Sequence, residues 1–268
     1  MTTSKTPIAF TIAGSDSGGC AGIQADLKAF SALGVFGCSA IASVTAQNTL
    51  GVQGVLPIAP SFVALQIRSV LDDLDVGAIK TGMLGTRDIV VAVAGELSGL
   101  SIPLVIDPVM VATSGDRLLS EDAVAAYIEM LFPLATLITP NLNEAAVLSG
   151  TSLAKNINEA KNQGRILLDK GVSAVLVKGG HGQGNAAVDV LLTTTGEYEF
   201  SSPRLNTNNT HGTGCTLASA ITAGLAKGMA LPDAVDTAKQ YLASALAAAD
   251  RLSIGKGSGP VHHFHQFY

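Results

Sequence analysis

The chain has 268 residues, is 47% apolar with 4% aromatics and no Trp, and carries a net charge of −5. That length can bury an ample core in one large α/β domain or two small ones, and an apolar share drawn mainly from Ala, Val, Leu and Ile suits tight helix-on-sheet packing. The acidic balance gives no support to nucleic-acid or membrane-surface binding, and no apolar run reaches the ~18 residues of a membrane span. The longest candidate, residues 89–112, is broken by Glu96, Pro103, Asp107 and Pro108. Cys20, Cys38 and Cys215 are odd in number and lack metal-type spacing, against both a disulfide framework and a zinc site. A polar start followed by an apolar stretch too short for a signal peptide gives the expectation of a cytoplasmic protein.

In chain order, residues 8–13 are β-rich, end at Gly14 and read as a buried strand. A glycine-rich loop, residues 14–22, follows, and residues 23–33 have helical spacing. Strand, loop and helix come in the order of a dinucleotide fingerprint, but the glycines fail its spacing, and the absence of a Walker lysine argues against a P-loop nucleotidase. Residues 38–44 read as a second strand that delivers Thr45, Ala46, Gln47 and Asn48 to a turn. Residues 61–73 are amphipathic, 76–80 strand-like, 87–97 helical, 104–106 a strand, 121–131 helical and 137–139 a strand. Pro140 opens a helix over 141–149, and the helix-then-strand step repeats over 157–170 and 174–178. Residues 189–194 and 198–201 read as a hairpin around Gly196, and helices are expected over 213–227 and 232–252. This alternation predicts one α/β domain over residues 1–268, with a mostly parallel central sheet covered by helices on both faces. Ligands of such sheets sit beyond the carboxyl ends of the strands.

The stretch Asn208-Asn209-Thr210-His211-Gly212-Thr213-Gly214-Cys215-Thr216 leads into a small-residue apolar run. It reads as a loop ending in a helix N-terminus, where unpaired N–H groups and the dipole favour an anion. The same field is expected to loosen the proton of Cys215 if the site is partly exposed. Cys215 has three readings: an inert buried thiol, a hydrolase pair with His211 that lacks an orienting Asn or Asp, or a base or hydrogen-bonding partner for an attacking hydroxyl. Lys178, before Gly179-Gly180-His181-Gly182, is either a surface lysine or a phosphate contact. Asn141 and Glu144 form either a capping box or a pair of oxygen ligands for Mg²⁺ through water. Asp107 is either a turn former or a carboxylate near phosphates.

Taken together, Ala13-Gly14-Ser15-Asp16, Gly22-Ile23-Gln24-Ala25-Asp26-Leu27-Lys28, Ala46-Gln47-Asn48-Thr49, Gly82-Met83-Leu84, Asp107-Pro108-Val109-Met110, Thr139-Pro140-Asn141 with Glu144-Ala145, Lys178-Gly179-Gly180-His181, the 209–215 stretch and the tail from Gly255 to His263 resemble the bifunctional hydroxymethylpyrimidine/phosphomethylpyrimidine kinases of thiamine biosynthesis, in the ribokinase-like superfamily. The resemblance covers nearly the whole chain in order. It implies a ribokinase-like α/β fold, a homodimer, and the use of ATP with Mg²⁺. It also implies that a small-molecule pyrimidine, 4-amino-5-hydroxymethyl-2-methylpyrimidine, is phosphorylated on its hydroxymethyl oxygen and then again to the diphosphate. Carried over by position, Gly14, Asp26, Gln47, Met83 and Val109 surround the pyrimidine, and Gln47 reads the ring nitrogen and amino group with an adjacent donor and acceptor. Asp107, Asn141, Lys178, Thr210, Gly212 and Gly214 serve the ATP phosphates, and Glu144 with Asn141 holds Mg²⁺ through water. Gly212, Thr213, Gly214, Cys215 and Lys178 form the catalytic position.

Two departures stand out: Cys20 where relatives usually have glycine, adding a thiol near the substrate, and Thr113 where relatives often have lysine. Ala112 occupies a lid position that resembles a cysteine position in pyridoxal-preferring members, so its identity favours the pyrimidine. Most sugar kinases of the superfamily carry aspartate where Cys215 stands. A carboxylate ~4 Å from a phosphorylated acceptor, at an effective dielectric of ~20, is repelled by about 4 kcal/mol, a cost that a neutral thiol avoids. The alternatives are a pyridoxal kinase of the same superfamily and a catalytically silent pyrimidine- or nucleotide-binding protein. His262, His263 and His265 in the tail are read as packing or a lid contact in preference to a metal site.

Overall fold

The computed structural model of the chain describes residues 5–110, 121–179 and 186–268. Ala112, Thr113, Gly180, His181 and Gly182, singled out in the sequence, lie outside the described residues. The elements in order are β1 (Ile8–Asp16), α1 (Gly22–Ala32), β2 (Phe36–Asn48), β3 (Gly51–Pro57), α2 (Pro60–Leu71), β4 (Ala78–Thr81), α3 (Arg87–Leu97), β5 (Leu104–Ile106) and α4 (Glu121–Ala126). They continue with β6 (Leu137–Ile138), α5 (Leu142–Ser149), α6 (Ile157–Leu168), β7 (Ala174–Val177), β8 (Ala186–Thr193), β9 (Glu197–Pro203), α7 (Thr213–Ala226) and α8 (Leu231–Ala247). One nine-stranded sheet runs in the order β3-β2-β1-β4-β5-β6-β7-β8-β9. The strands from β2 to β7 in that order pair in parallel, while β3, β8 and β9 are antiparallel.

Strand alternation sorts the two cores. Phe10 and Ile12 of β1, with Val175 and Val177 of β7, pack on the face covered by α2 to α6. Ala174 and Leu176 of β7 turn to the other face, against α7 and α8. Every residue of β5 is buried, as a central parallel strand covered on both sides requires. The small residues of α7 admit α8 at close range: a Cβ on Gly224 would lie 2.9 Å from that of Ala234. Among the described residues no helix is long and apolar enough to cross a membrane.

Three local expectations change. β1 continues past Gly14 to Asp16, with a register irregularity against β2 between Ala13 and Gly14. Residues 45–48, expected in a turn, extend β2 and reverse into β3, an edge strand. Most of β3 is exposed, including Val55 and Leu56, so it has no core-facing alternation for the sequence pattern to display. The 121–131 helix is α-helical only to Ala126 and finishes as a π-helical turn, Tyr127–Leu131. In that turn Tyr127 donates its hydroxyl to the Gly82 carbonyl at 2.8 Å.

The reversal between β2 and β3 is braced from far along the chain. Lys256 N–H and Gly257 N–H donate to Thr49 Oγ1 at 3.2 and 3.1 Å, and Ser258 N–H donates to the Thr49 carbonyl at 3.1 Å. The same segment reaches the loop before α7, where Gly259 N–H donates to Asn209 Oδ1 and His211 N–H donates to the Gly259 carbonyl. The histidines that follow pack: His263 Nε2 lies 2.9 Å from Thr216 Oγ1, His262 meets the Tyr268 ring and His265 the Tyr241 ring.

Candidate active site

A cavity of about 740 Å³ opens beyond the carboxyl ends of the central strands, with the start of α7 at its floor. Gly212 caps that helix in the left-handed region at φ 79°, and a Cβ there would lie 1.9 Å from the Cys20 carbonyl oxygen. Only glycine meets both conditions. No side chain caps the helix; Thr213 N–H donates to the Thr210 carbonyl at 3.3 Å, and the N–H groups of Gly214 and Cys215 are left for a ligand. A Cβ on Gly214 would sit 3.3 Å from Lys178 Nζ and 3.6 Å from Asp107 Oδ2. Helix terminus, ammonium and carboxylate therefore converge on one spot in the cavity wall.

Lys178 donates to Asp107 Oδ1 at 2.9 Å, and Thr139 donates to the same oxygen at 3.1 Å. Burial works to raise the Asp107 pKa, but the ammonium groups of Lys178 and Lys80 outweigh it and hold the carboxyl below its ordinary range. Asn141 and Glu144 form the capping box of α5: Glu144 N–H donates to Asn141 Oδ1 at 2.9 Å and Asn141 N–H to Glu144 Oε2 at 2.8 Å. Both side chains nevertheless line the cavity. Burial pushes the Glu144 carboxyl up to about 7, against the pull of Lys178.

Gly14, Met83, Val109, Gln47, Thr210 and Thr213 line the cavity as well. A Cβ on Gly14 would press on Met83 Cε at 2.8 Å and Ser43 Oγ at 2.9 Å. Asp26 requires a correction, because it has no exposed surface and does not line the cavity. It lies behind the wall, gripping Lys80 Nζ through both oxygens at 2.8 and 2.9 Å and accepting from Thr11 and Ser219 at 2.6 Å each. Lys80, which the sequence reading passed over as part of a strand, is the residue of this pair that meets the cavity. Cys20 is corrected too: its thiol is buried and donates to the Gly18 carbonyl, so it adds nothing to the cavity lining.

The expectation of a loosened Cys215 proton is also overturned. Burial pushes the thiol up to about 11, with Lys80 lowering it and Asp26 and Asp107 raising it again. Burial of the thiol is the largest influence on it and outweighs the lowering by Lys80 and by the Gly22 backbone. With a pKa of about 11, roughly one thiol in a thousand is ionised at pH 8. Iodoacetamide should therefore label Cys215 about 10²-fold more slowly at pH 8 than a free thiol, with the rate still rising beyond pH 10. A labelling midpoint below pH 9 would contradict this. The His211 ring is engaged elsewhere, with Nε2 3.2 Å from Gln47 Nε2, which removes the hydrolase pairing.

The cavity continues between β8–β9 and α8, where Leu205, Leu242 and Leu246 give an apolar lining. At its edge Lys239 donates to Asp189 Oδ2 at 2.6 Å, and Asp189 Oδ1 accepts from Gly179 N–H at 2.8 Å. No single stretch of sequence signals this part, since it is assembled from three elements.

The phosphomethylpyrimidine kinase family model matches residues 16–262. The chain is 53% identical to a hydroxymethylpyrimidine/phosphomethylpyrimidine kinase of Rhizobium meliloti, covering 98% of this chain and 99% of that protein. It is 52% identical to the protein of that description from Escherichia coli, covering 97% and 98%. Among solved structures it is similar to an ADP complex of Bacillus subtilis pyridoxal kinase, with a TM-score of 0.90 at 36% identity over 98% of this chain and 99% of that one. It is also similar to a phosphomethylpyrimidine kinase from Clostridium difficile, with a TM-score of 0.79 at 40% identity over 89% and 98%.

Proposed function

The chain belongs to the hydroxymethylpyrimidine/phosphomethylpyrimidine kinase family of thiamine biosynthesis, and on that premise we propose how its own residues carry a phosphoryl group from ATP to the pyrimidine. The observation that carries the assignment is the convergence at Gly214 of an uncapped helix terminus, the Lys178 ammonium and Asp107, beside a thiol that stays protonated. Phosphoryl transfer asks mainly for positioning and charge stabilisation, which these groups supply.

In this reading the N–H groups of Gly214 and Cys215 face the phosphoryl group in flight, while Thr213 N–H turns back to the Thr210 carbonyl. Lys178, held by Asp107, supplies a fixed positive charge to the phosphates. Thr210 and Asn141 complete the ATP contacts, and the apolar lining at Leu205, Leu242 and Leu246 takes the base. Gly14, Gln47, Met83 and Val109 surround the pyrimidine. Cys215, with a pKa of about 11, serves the acceptor as a hydrogen-bonding neighbour in preference to a base. As the new O–P bond forms, the bond to the ADP oxygen breaks and ADP leaves with its electron pair, while the hydroxyl proton passes to an oxygen of the transferred phosphoryl group and on to solvent.

Asn141 and Glu144 offer hard oxygen donors beside Lys178, a set that fits a hydrated Mg²⁺ bound through water. When bound, the ion would neutralise charge on the β- and γ-phosphates. We further assign the chain to one domain, a cytoplasmic setting and a homodimer. Three free cysteines suit the cytoplasm. Exposed Val44, Val55, Leu56, Phe62 and Leu65 on β2, β3 and α2 give the dimer an apolar face.

Product analysis with the aminopyrimidine alcohol and excess ATP tests the reading. The diphosphate is expected to accumulate after a transient monophosphate. Arrest at the monophosphate, or faster turnover of pyridoxal than of the pyrimidine, rejects it in favour of the pyridoxal kinase that the structural similarity keeps in view.

A further inference from the structure

We infer that His211 is a positioning residue that fixes which way the Gln47 amide points, and thereby makes the site select a 4-aminopyrimidine over its 4-oxo counterpart. The inference rests on the reading above in which Gln47 contacts the ring.

Gln47 is half-buried at the end of β2 and lines the cavity. Its Oε1 lies 3.0 Å from Thr45 Oγ1, and its Nε2 lies 3.2 Å from His211 Nε2. The threonine hydroxyl does not decide the amide orientation, because Thr45 Oγ1 also lies 3.0 Å from the Ser15 carbonyl oxygen, an alternative acceptor for its single hydrogen. The imidazole does decide it. The second ring nitrogen is set against the Ser258 backbone, an acceptor that favours an N–H there. A neutral imidazole has one N–H, so the other nitrogen, Nε2, is bare and must receive the amide N–H of Gln47. Burial holds the His211 pKa below its ordinary value, against the opposing pull of the Asp16 carboxylate, which keeps the ring in this neutral form. The carbonyl end of Gln47 is thereby turned to Thr45, leaving one N–H and one lone pair for a ligand in a set order.

A second set of contacts shows that this geometry is built in. Ser258, whose backbone lies against the imidazole, also donates its N–H to the Thr49 carbonyl, two residues beyond Gln47. Its neighbour Gly257 has no room for a side chain, since a Cβ there would lie 2.0 Å from the Thr49 oxygen. One residue thus braces both partners of the Gln47–His211 contact. The complementary ring edge has a bare nitrogen beside an amino group. The 4-oxo ring presents an N–H beside a carbonyl, the reverse order, and meets donor with donor and acceptor with acceptor.

Steady-state kinetics on the 4-amino alcohol and its 4-oxo analogue test this with three variants. His211→Leu frees the amide to turn over, and should lower kcat/KM for the amino ring about tenfold through KM while raising it for the oxo ring, so that the preference collapses by about 10²-fold. His211→Gln keeps a hydrogen-bonding partner but can rotate together with Gln47, and should lose the preference as well, which covers a failure of the leucine variant to fold. If either folded variant slows both rings by the same factor, His211 is only a structural support and the inference is overturned. Gln47→Leu separates the two levels: it should raise KM for the amino ring, and an unchanged KM removes the ring-reading role itself.

Discussion

Cys215→Asp should lower kcat/KM for the phosphorylated pyrimidine by about three decades while leaving the alcohol within about tenfold of the parent. Two unit charges ~4 Å apart at an effective dielectric of ~20 repel by about 4 kcal/mol, which is a factor of about 10³ in rate. The surroundings give a new carboxylate little relief. Asp107 and Asp26 already act on the thiol as negative neighbours, and the one cation among its largest influences, Lys80, is gripped by both oxygens of Asp26. A thiol with a pKa of about 11 contributes no charge at working pH, so the acceptor can change from an alcohol to a phosphate without a penalty from this side chain. Initial rates on the two purified acceptors check the prediction, and equal retention of both activities would rule out charge avoidance as the reason for cysteine here.

Lys80→Met should destabilise the fold by about 3–5 kcal/mol, the usual cost of removing one partner of a buried ion pair. Both side chains of the Lys80–Asp26 pair have no exposed surface. Burial works to strip the Lys80 proton, but the adjacent Asp26 outweighs it and holds the ammonium in its charged form. Once the ammonium is gone, Asp26 retains, among the described residues, the Thr11 and Ser219 hydroxyls as its hydrogen-bond partners. Adding Asp26→Asn should recover part of the loss, because the uncompensated charge disappears while an acceptor remains. Urea unfolding of the two variants checks this. A single-variant loss under about 1 kcal/mol would show that the pair contributes no more than an exposed one.

The repeating core was legible because its signals are local. For residues 87–97 the expected and observed helix bounds coincide: Thr86 caps the start by accepting from Ile89 N–H, and the apolar residues at helical spacing are buried. Asn141 and Glu144 were legible as a capping box for the same reason, three residues apart on one helix start. What escaped depends on distance along the chain or on exposure. Asp26 and Lys80 are 54 positions apart, and nothing near either tells that one will be sealed behind the other. The helix N-terminus at Gly212 was readable from its composition, whereas the direction of the Cys215 pKa was not, since burial of the thiol is settled by the packing of other elements. The edge hairpin escaped because an exposed strand leaves no apolar period.

The brace on the β2–β3 reversal bears on when the enzyme becomes active during synthesis. Thr49 and Lys256, which share a hydrogen bond, are separated by 207 positions. At 5–20 residues per second a ribosome adds that interval in about 10–40 s. Until it has done so, the loop that steadies Gln47 and His211 does not exist, while most of the sheet already does. The last strand ends at Pro203, well before Lys256, so every strand of the sheet is made before the segment that braces this reversal.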